Sequence, residues 1–342
     1  MDTQAAGPAG RGLRRRRRWP SCRRGQRSGR AEGTRHRHLA GTVKQFRRLL
    51  WAIVPALLLG MAFAWMERRD TPAQDGRVAL WQITDRAGTV RGYLFGTVHA
   101  LPPQVRWLRP EITDALGRSD RLVLEIAEPL DQEIAGEALA DLAGTEGLPP
   151  PSQRLGPAYR DKLARVYRKL GLSDADFADT ESWAVALQLA AIAGQKAGAD
   201  PESGAEPALR KLAGDKPVAG FETIHSQFGV FDALPPRQQQ ILLQEVTVEA
   251  ASDKDEEADM VSLWLKGDDL GIAREANEGF LADAGLHQAL LTDRNRAWAD
   301  QLDAMLKAGA RPFVAVGAAH LAGSDSLQRL MMARGWQIRR VP

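Results

Sequence analysis

Two apolar stretches of this 342-residue chain end in the same way, with a glycine and, three residues later, a histidine. The first runs Tyr93-Leu94-Phe95-Gly96-Thr97-Val98-His99, and the second runs Phe313-Val314-Ala315-Val316-Gly317-Ala318-Ala319-His320. Each pattern predicts a buried strand that delivers an imidazole just past its carboxyl end, where α/β proteins tend to build their sites. We therefore predict a fold that brings the two Gly-x-x-His turns together.

Each of these histidines has two interpretations. A neutral imidazole at a strand end suits a divalent metal such as zinc, manganese, cobalt or iron. The alternative is a hydrogen-bonded core or turn residue, and one short motif does not separate the two. The paired occurrence, each time after an apolar strand, favours a functional role for His99 and His320. Gly96 and Gly317 would let the backbone turn sharply or approach a ligand closely.

Charge is distributed unevenly along the chain. Residues 1–48 hold 15 Lys/Arg and two Asp/Glu, whereas the remaining residues hold 31 basic and 41 acidic side chains. The body is therefore acidic and lacks the clustered positive charge of a phosphate-binding surface, which argues against a nucleic-acid partner. The only cysteine, Cys22, lies in the basic segment, so the body has neither a disulfide nor a thiolate metal site.

The amino-terminal part of the sequence predicts export. Residues 1–48 are expected to be a disordered basic tail. The 17 apolar or small residues at 49–65 fall short of the roughly 20 needed to span a bilayer. Basic residues before this run and Ala62-Phe63-Ala64 at its end are typical of a signal peptide, with an uncleaved membrane anchor as the alternative. The body is then periplasmic, or anchored in the inner membrane and facing the periplasm.

The long tail is unusual for a signal peptide. One hypothesis is that translation starts downstream, at Val43, which would leave a basic segment of ordinary length before the apolar run.

The body, residues 78–342, is predicted to be one α/β domain. Strands are predicted over residues 78–84 and 90–95 as a hairpin, and over 121–127, 217–223, 312–316 and 337–341. Apolar side chains at helical spacing predict a mostly helical section from about 130 to 308. We therefore predict a mixed central sheet with a large helical middle section.

Two glutamates lie in predicted strands. Glu125 stands in the apolar run Leu122-Val123-Leu124-Glu125-Ile126. An ionised carboxylate is costly to bury without a partner, so Glu125 either faces solvent or serves at a site as a metal ligand or general base. Glu222, near the end of the strand at 217–223, has the same ambiguity. His225, three residues later, is expected to cap a helix.

Arg294 lies beside Asn295 in a helix predicted over 288–306. A solvated helix face is the plain interpretation of this arginine. The functional alternative is that it binds a substrate carboxylate or stabilises an oxyanion.

In order and spacing, these residues resemble the motifs of the TraB/GumN family, which is related to the TIKI metalloproteases. The motifs are Tyr93 to His99 with Leu101-Pro102, Leu122 to Glu125, Gly220-Phe221-Glu222-Thr223 with Gln227 after it, Asp293-Arg294-Asn295, and Val316 to Leu321. The resemblance covers residues 78 to 342. Two positions depart from it. Gly204-Ala205-Glu206 stands where relatives tend to have an aspartate as the third residue, and Phe221 stands where an aliphatic residue is commoner.

The resemblance implies an exported hydrolase that depends on a divalent metal such as manganese, cobalt or zinc and acts on a peptide or protein substrate. It implies that His99 and His320 are metal ligands, and that Glu125 is either the third ligand or the base that activates water. Glu222 would take the other role or support the ligands, and Arg294 would stabilise the oxyanion or hold the substrate. The alternatives are a non-catalytic accessory protein in envelope or exopolysaccharide biology, and a metal- or haem-binding module.

Overall fold

The computed structural model describes residues 76–101, 105–128, 132–197, 200–252 and 256–342. The predicted basic tail and the apolar segment at 49–65 lie outside these residues. Among the described residues, no helix has both the length and the apolar character needed to cross a bilayer.

The strands of the described residues are separated by helices, except that β1 and β2 follow each other directly. The strands are β1 (Leu80–Thr84), β2 (Val90–Thr97), β3 (Arg121–Ile126), β4 (Val218–Glu222), β5 (Pro312–Gly317) and β6 (Gln337–Arg340). The α-helices are α1 (Pro110–Arg118), α2 (Gln132–Leu142), α3 (Pro151–Arg154), α4 (Pro157–Leu170), α5 (Ser182–Ala197), α6 (Ala205–Ala213), α7 (Ile224–Asp232), α8 (Pro236–Ala251), α9 (Glu256–Lys266), α10 (Asp269–Glu275), α11 (Ala284–His287), α12 (Asp293–Lys307) and α13 (Leu327–Ala333). Single 3-10 turns lie at Asp174–Phe177, Pro201–Ser203, Gly279–Ala282 and Ala318–Leu321.

The described strands form one six-stranded mixed sheet in the order β4-β3-β5-β2-β1-β6. The neighbours from β4 to β2 pair in parallel, whereas β1 pairs antiparallel with both β2 and β6. This architecture confirms the predicted α/β class. Because β2, β5, β3 and β4 are parallel, their carboxyl ends meet at one edge of the sheet, which is where α/β folds place their ligands. We call this edge the carboxyl edge.

Both faces of the sheet are covered by apolar layers. Alternate residues of each strand point to opposite faces, so Phe95 and Phe313 belong to one layer while Leu94 and Val314 belong to the other. The first layer includes the aromatic contacts of Phe95 with Trp107 and Trp264, and the second is centred on Trp298 of α12. Burial on both faces explains why these strands read as continuous apolar runs.

The helical middle section has a core of its own. Helices α4, α5 and α8 pack together around fully buried side chains that include Trp183, Phe228 and Leu243. Ile126, near the end of β3, and Leu290, next to α12, belong to the same cluster. The helical section is therefore packed against the carboxyl edge of the sheet.

The helix predicted over 288–306 is present, and its first turn, Gln288–Thr292, is π-helical before the α-helical part begins at Asp293. One local expectation was wrong, that of His225 as a cap. The residue that caps α7 is Thr223, whose side chain accepts a hydrogen bond from the Ser226 amide, while His225 is exposed. A hydroxyl at the N-cap position reaches the free amides of the first turn directly, so no imidazole is needed there.

The separate helical core predicts a large effect of truncating Leu243. The change Leu243→Ala should lower the free energy of unfolding by about 2–5 kcal/mol, because it removes buried contacts and leaves a cavity. Leu270 is the matched control, since its side chain is 78% exposed and Leu270→Ala should cost less than about 0.5 kcal/mol. Urea unfolding of the full chain measures both, and equal losses would contradict the assigned core.

Candidate active site

The carboxyl edge gathers the side chains that the sequence singled out. β2 leads into His99 and β5 leads into His320, while Glu125 and Glu222 lie at the ends of β3 and β4. The strand register aligns these ends, because Thr97 pairs with Gly317 and Ile126 pairs with Glu222. Parallel pairing therefore brings together residues that are separated by more than 200 positions in the sequence.

Gly317 lies at the centre of this group. A methyl group added to Gly317 would lie 3.1 Å from Oε1 of Glu125, 3.7 Å from Cδ2 of His320 and 4.0 Å from Nε2 of His99. Nε2 of His320 is 3.8 Å from Oε1 of Glu125. The two imidazoles and the carboxylate thus surround one small space that any larger residue at position 317 would narrow.

Arg294 of α12 connects the buried carboxylates. Its Nε donates to Glu222, and its Nη2 donates to Oε2 of Glu125 and to Oε2 of Glu222, both at 2.9 Å. Its Nη1 contacts the Leu290 carbonyl at 3.2 Å and Nε2 of His320 at 3.3 Å. A guanidinium has five N–H donors, and these five contacts give every donor of Arg294 an acceptor within the protein.

Glu222 is held on a second side by Trp298. The indole Nε1 of Trp298 donates to Oε1 of Glu222 at 2.8 Å, and the same ring lies under the guanidinium of Arg294, 4.6 Å from its Cζ. The centroid of the Trp298 ring is 4.4 Å from that of His320. A single aromatic side chain therefore supports the carboxylate, the arginine and the imidazole together.

Asn295 orients His320. Oδ1 of Asn295 lies 2.8 Å from Nδ1 of His320, and its amide nitrogen donates to the carbonyls of His320 and Asp325. Because Nη1 of Arg294 can only donate, Nε2 of His320 is the acceptor and Nδ1 carries the proton toward Asn295. The lone pair of His320 is therefore directed at Arg294, and its Nε2 lies 3.8 Å from Oε1 of Glu125.

Glu206 occupies the corresponding position at His99. Its Oε1 lies 2.9 Å from Nδ1 of His99, so the Nε2 atom faces the Gly317 space. The backbone around His99 is joined to the start of α6, because Ala205 N–H donates to the Val98 carbonyl. Gly204 lies so close to His99 that a methyl group there would be 2.3 Å from the His99 carbonyl oxygen.

The model of the TraB/PrgY/gumN family matches residues 79–340. The chain belongs to this family. The match confirms the resemblance drawn from the sequence and spans all six strands of the sheet. Comparisons with curated proteins and with solved structures found no match.

Burial and charge shift the pKa values at the family's paired histidine motifs in this chain. Glu125 and His320 are only 8% and 5% exposed. Burial raises the pKa of Glu125, but the charges of Arg294, His320 and His99 and the hydrogen bond from the Gly317 amide outweigh it and lower the pKa to about 2. Burial lowers the pKa of His320 to about 3, and the attraction of Glu125 offsets this only in part. At neutral pH Glu125 is therefore a carboxylate and His320 a neutral imidazole.

The pKa of Arg294 moves the other way. Burial alone would lower it, but the charges of Glu125 and Glu222 and their hydrogen bonds raise it above its usual value. Arg294 therefore carries a fixed positive charge between two carboxylates. The set of Arg294, Glu125, Glu222 and Glu206 has one positive and three carboxylate groups.

Several contacts of this site carry no distinct signal in the sequence. Trp298 reads as an ordinary apolar residue of a helix. Gln227, which follows the third motif, donates from Nε2 to Oε2 of Glu125 at 3.4 Å. Glu206 stood out only as a departure from the family pattern. Its longer side chain nevertheless reaches His99, and its spacing after Gly204 was the signal that could have identified it.

The residues fit a divalent cation in donor chemistry. Asn295 accepts from Nδ1 of His320, which is how metal-binding histidines are usually supported. Glu206 lies 2.9 Å from Nδ1 of His99, and Glu125 adds a carboxylate. In the described part of the chain, however, no three His, Cys, Asp or Glu side chains are spaced as a preformed metal site. Nη1 of Arg294, at 3.3 Å from His320, lies among the donor atoms.

The contact between Gly204 and His99 predicts that Gly204→Ala is harmful. The added methyl group must displace the His99 backbone, which should lower the free energy of unfolding by about 1–3 kcal/mol. Gly117→Ala is the matched control, because Gly117 has open space around it in α1 and alanine is the better helix former. Urea unfolding of the two variants tests this, and a Gly204→Ala protein as stable as wild type would contradict the close approach.

The lowered pKa values predict loss of stability in acid for the metal-free protein. As pH falls from about 6.5 to about 3, the unfolded chain protonates its histidine at position 320 while the folded chain does not, so unfolding becomes easier. Glu125 acts in the same direction between about 4.5 and 2. Each group lowers the free energy of unfolding by up to about 1.4 kcal/mol for every pH unit within its pH range.

Thermal unfolding between pH 7.5 and pH 4.5 measures the contribution of His320. His320→Gln should make the unfolding temperature less dependent on pH in this range, whereas His225→Gln, at an exposed position, should not. Identical pH dependence in wild type and His320→Gln would show that His320 titrates normally in the folded protein.

Proposed function

We propose that this protein is an exported hydrolase that uses a divalent metal ion to cleave peptide bonds. The observation that carries the proposal is the convergence of two imidazoles on one carboxylate. Nε2 of His320 lies 3.8 Å from Oε1 of Glu125, and a methyl group at Gly317 would lie 3.1 Å from that oxygen and 4.0 Å from Nε2 of His99. Export is inferred from the signal-like segment at 49–65 and its basic flank.

The charge of the site supports a cation as the missing component. Glu125 and Glu222 share the single guanidinium of Arg294, while the carboxylate of Glu206 lies beside His99. Leaving the histidines aside, three carboxylates and one guanidinium carry a net charge of about −2 when ionised. A divalent cation bound by His99, His320 and Glu125 would balance it.

The geometry favours Glu125 as a ligand over Glu125 as a general base. A base works best when its pKa is near the working pH, and the pKa of Glu125 is held at about 2. Its Oε1, which accepts from the Gly317 amide at 2.7 Å, faces the two imidazoles. We therefore assign Glu125 to the metal and leave its Oε2 to Arg294.

Glu222 and Arg294 act as positioning residues in this proposal. Glu222 binds Arg294 through both of its carboxylate oxygens, and Arg294 holds Glu125 in turn. Since all five donors of Arg294 have acceptors, a role in binding an oxyanion or a substrate carboxylate would require it to release one of them. The arrangement therefore supports Arg294 chiefly as the group that fixes Glu125 and His320.

A divalent ion, when bound, would polarise the scissile carbonyl and supply hydroxide at neutral pH. The protein's contribution is a buried set of donors, from which Nη1 of Arg294 would withdraw when an ion binds His320. The helical section that packs against the carboxyl edge would shape the entrance and set the choice of peptide.

Metal binding and peptide cleavage by the purified full chain test the proposal together. We expect one equivalent of manganese, cobalt or zinc after loading, and cleavage of a peptide library that stops with a chelator and returns with metal. His99→Ala and His320→Ala should each abolish both, while His225→Ala should change neither. Glu206→Gln should weaken metal binding by about 10–100-fold, because it alters the support of His99.

The other outcomes identify the alternatives. A chain that binds no divalent ion and cleaves no peptide would be a non-catalytic accessory protein. Tight metal binding with cleavage that survives His99→Ala would place catalysis elsewhere. A haem spectrum after reconstitution would assign the site to haem.

A further inference from the structure

A groove of about 570 Å³ lies between β6, α10 and α13, outside the site described above. Its lining combines exposed apolar side chains with arginines. Leu270 is 78% exposed and Met332 is 46% exposed, and both line the groove together with Arg329 and Arg340. Large exposed apolar side chains that occur together, next to cationic groups, are typical of an interaction surface.

The charge of this region is opposite to that of the body as a whole. The last 14 residues contain Arg329, Arg334, Arg339 and Arg340 and no acidic residue, although the body has more acidic than basic side chains. Arg329, Arg339 and Arg340 are exposed. Asp269 is the one acidic residue among the described residues that line the groove, and its contact with Arg340 is a long, exposed one of 3.4 Å. The surface therefore suits an anionic partner.

The path of the chain indicates which anionic partner this is. The first described residues, Gly76 and Arg77, lie beside the groove, since the Arg77 amide donates to the Leu265 carbonyl and Arg340 donates to the Gly267 carbonyl. A methyl group at Gly267 would touch both Arg340 and the Arg77 carbonyl. Ten residues, 66–75, separate this point from the apolar segment at 49–65. Ten residues span at most about 35 Å, so a membrane-held segment keeps the groove close to the bilayer.

We propose that this surface, defined by Leu270, Met332, Arg329 and Arg340, lies against an anionic lipid bilayer. Leu270 and Met332 enter the headgroup region, and the arginines pair with lipid phosphates. Neither the apolar side chains nor the arginines would hold the protein at the bilayer alone. If the segment at 49–65 is already in the membrane, the ten residues 66–75 keep the groove at a high effective concentration near the lipid. The inference does not depend on hydrolysis, and it predicts that the segment at 49–65 remains attached.

Lipid-quenching measurements on the full chain test this surface. With Cys22→Ser removing the only thiol, Leu270→Cys or Met332→Cys receives an environment-sensitive fluorophore, and the protein is reconstituted in vesicles of 70% phosphatidylcholine and 30% phosphatidylglycerol that contain nitroxide lipid. Leu212→Cys is the matched control, because Leu212 is 42% exposed on α6 and does not line the groove.

We expect quenching at positions 270 and 332 to exceed that at 212 at least about twofold, and to fall in high salt. Arg329→Glu should reduce it, since one arginine at an anionic surface contributes about fivefold to partitioning, whereas Arg168→Glu on the exposed side of α4 should not.

Three results would overturn the proposal. One is equal quenching at all three labelled positions. Another is quenching that is the same in pure phosphatidylcholine and unaffected by Arg329→Glu, which would reflect the tether alone. The third is burial of the labels that depends on protein concentration and not on lipid, which would assign the surface to contact between two copies of the chain.

Discussion

The ion-pair network around Arg294 is the interaction on which the site depends. Glu125 and Glu222 end neighbouring strands and are largely shielded from water, where two like charges would repel and lose their hydration. Arg294 from α12 contacts both carboxylates at 2.9 Å, and Trp298 supports the arginine from below. Removing one member of such a group leaves an uncompensated buried charge. The network therefore stabilises one position of α12 against the sheet.

The same network explains why the two histidines differ. His320 is buried and neutral. Its Nε2 accepts a hydrogen bond from Arg294, and its Nδ1 is hydrogen-bonded to Asn295. His99 is more exposed and takes its orientation from Glu206, which α6 brings from a different part of the chain. One imidazole is fixed by the sheet and α12, and the other by a loop that packs closely on Gly204.

The sequence predicted the sheet better than the contacts made at its edge. Apolar runs that end at glycine identify strands such as β2 and β5, and the tendency of α/β sites to lie at the carboxyl ends of strands then predicts that His99 and His320 face the same edge. Strand alternation could not decide whether Glu125 is buried, because both faces of this sheet are covered and a polar residue inside looks like one at a surface. Trp298 could not be foreseen, since its contribution comes from packing between α12 and the sheet. The π-helical turn before α12 likewise has no simple signature in the residues that form it.

The position of Arg294 bears directly on how a cation would be accommodated. Its Nη1 shares the lone pair of His320 that a metal would need, so an ion and this N–H compete for one atom. Because the guanidinium is a rigid plane, moving Nη1 away from His320 would also move Nε and Nη2 relative to Glu222 and Glu125. The low pKa of His320 helps in either case, because a neutral imidazole can accept a hydrogen bond or bind a metal and a protonated one can do neither. The network that keeps two carboxylates buried therefore also keeps His320 in the neutral form that the proposed metal chemistry would require.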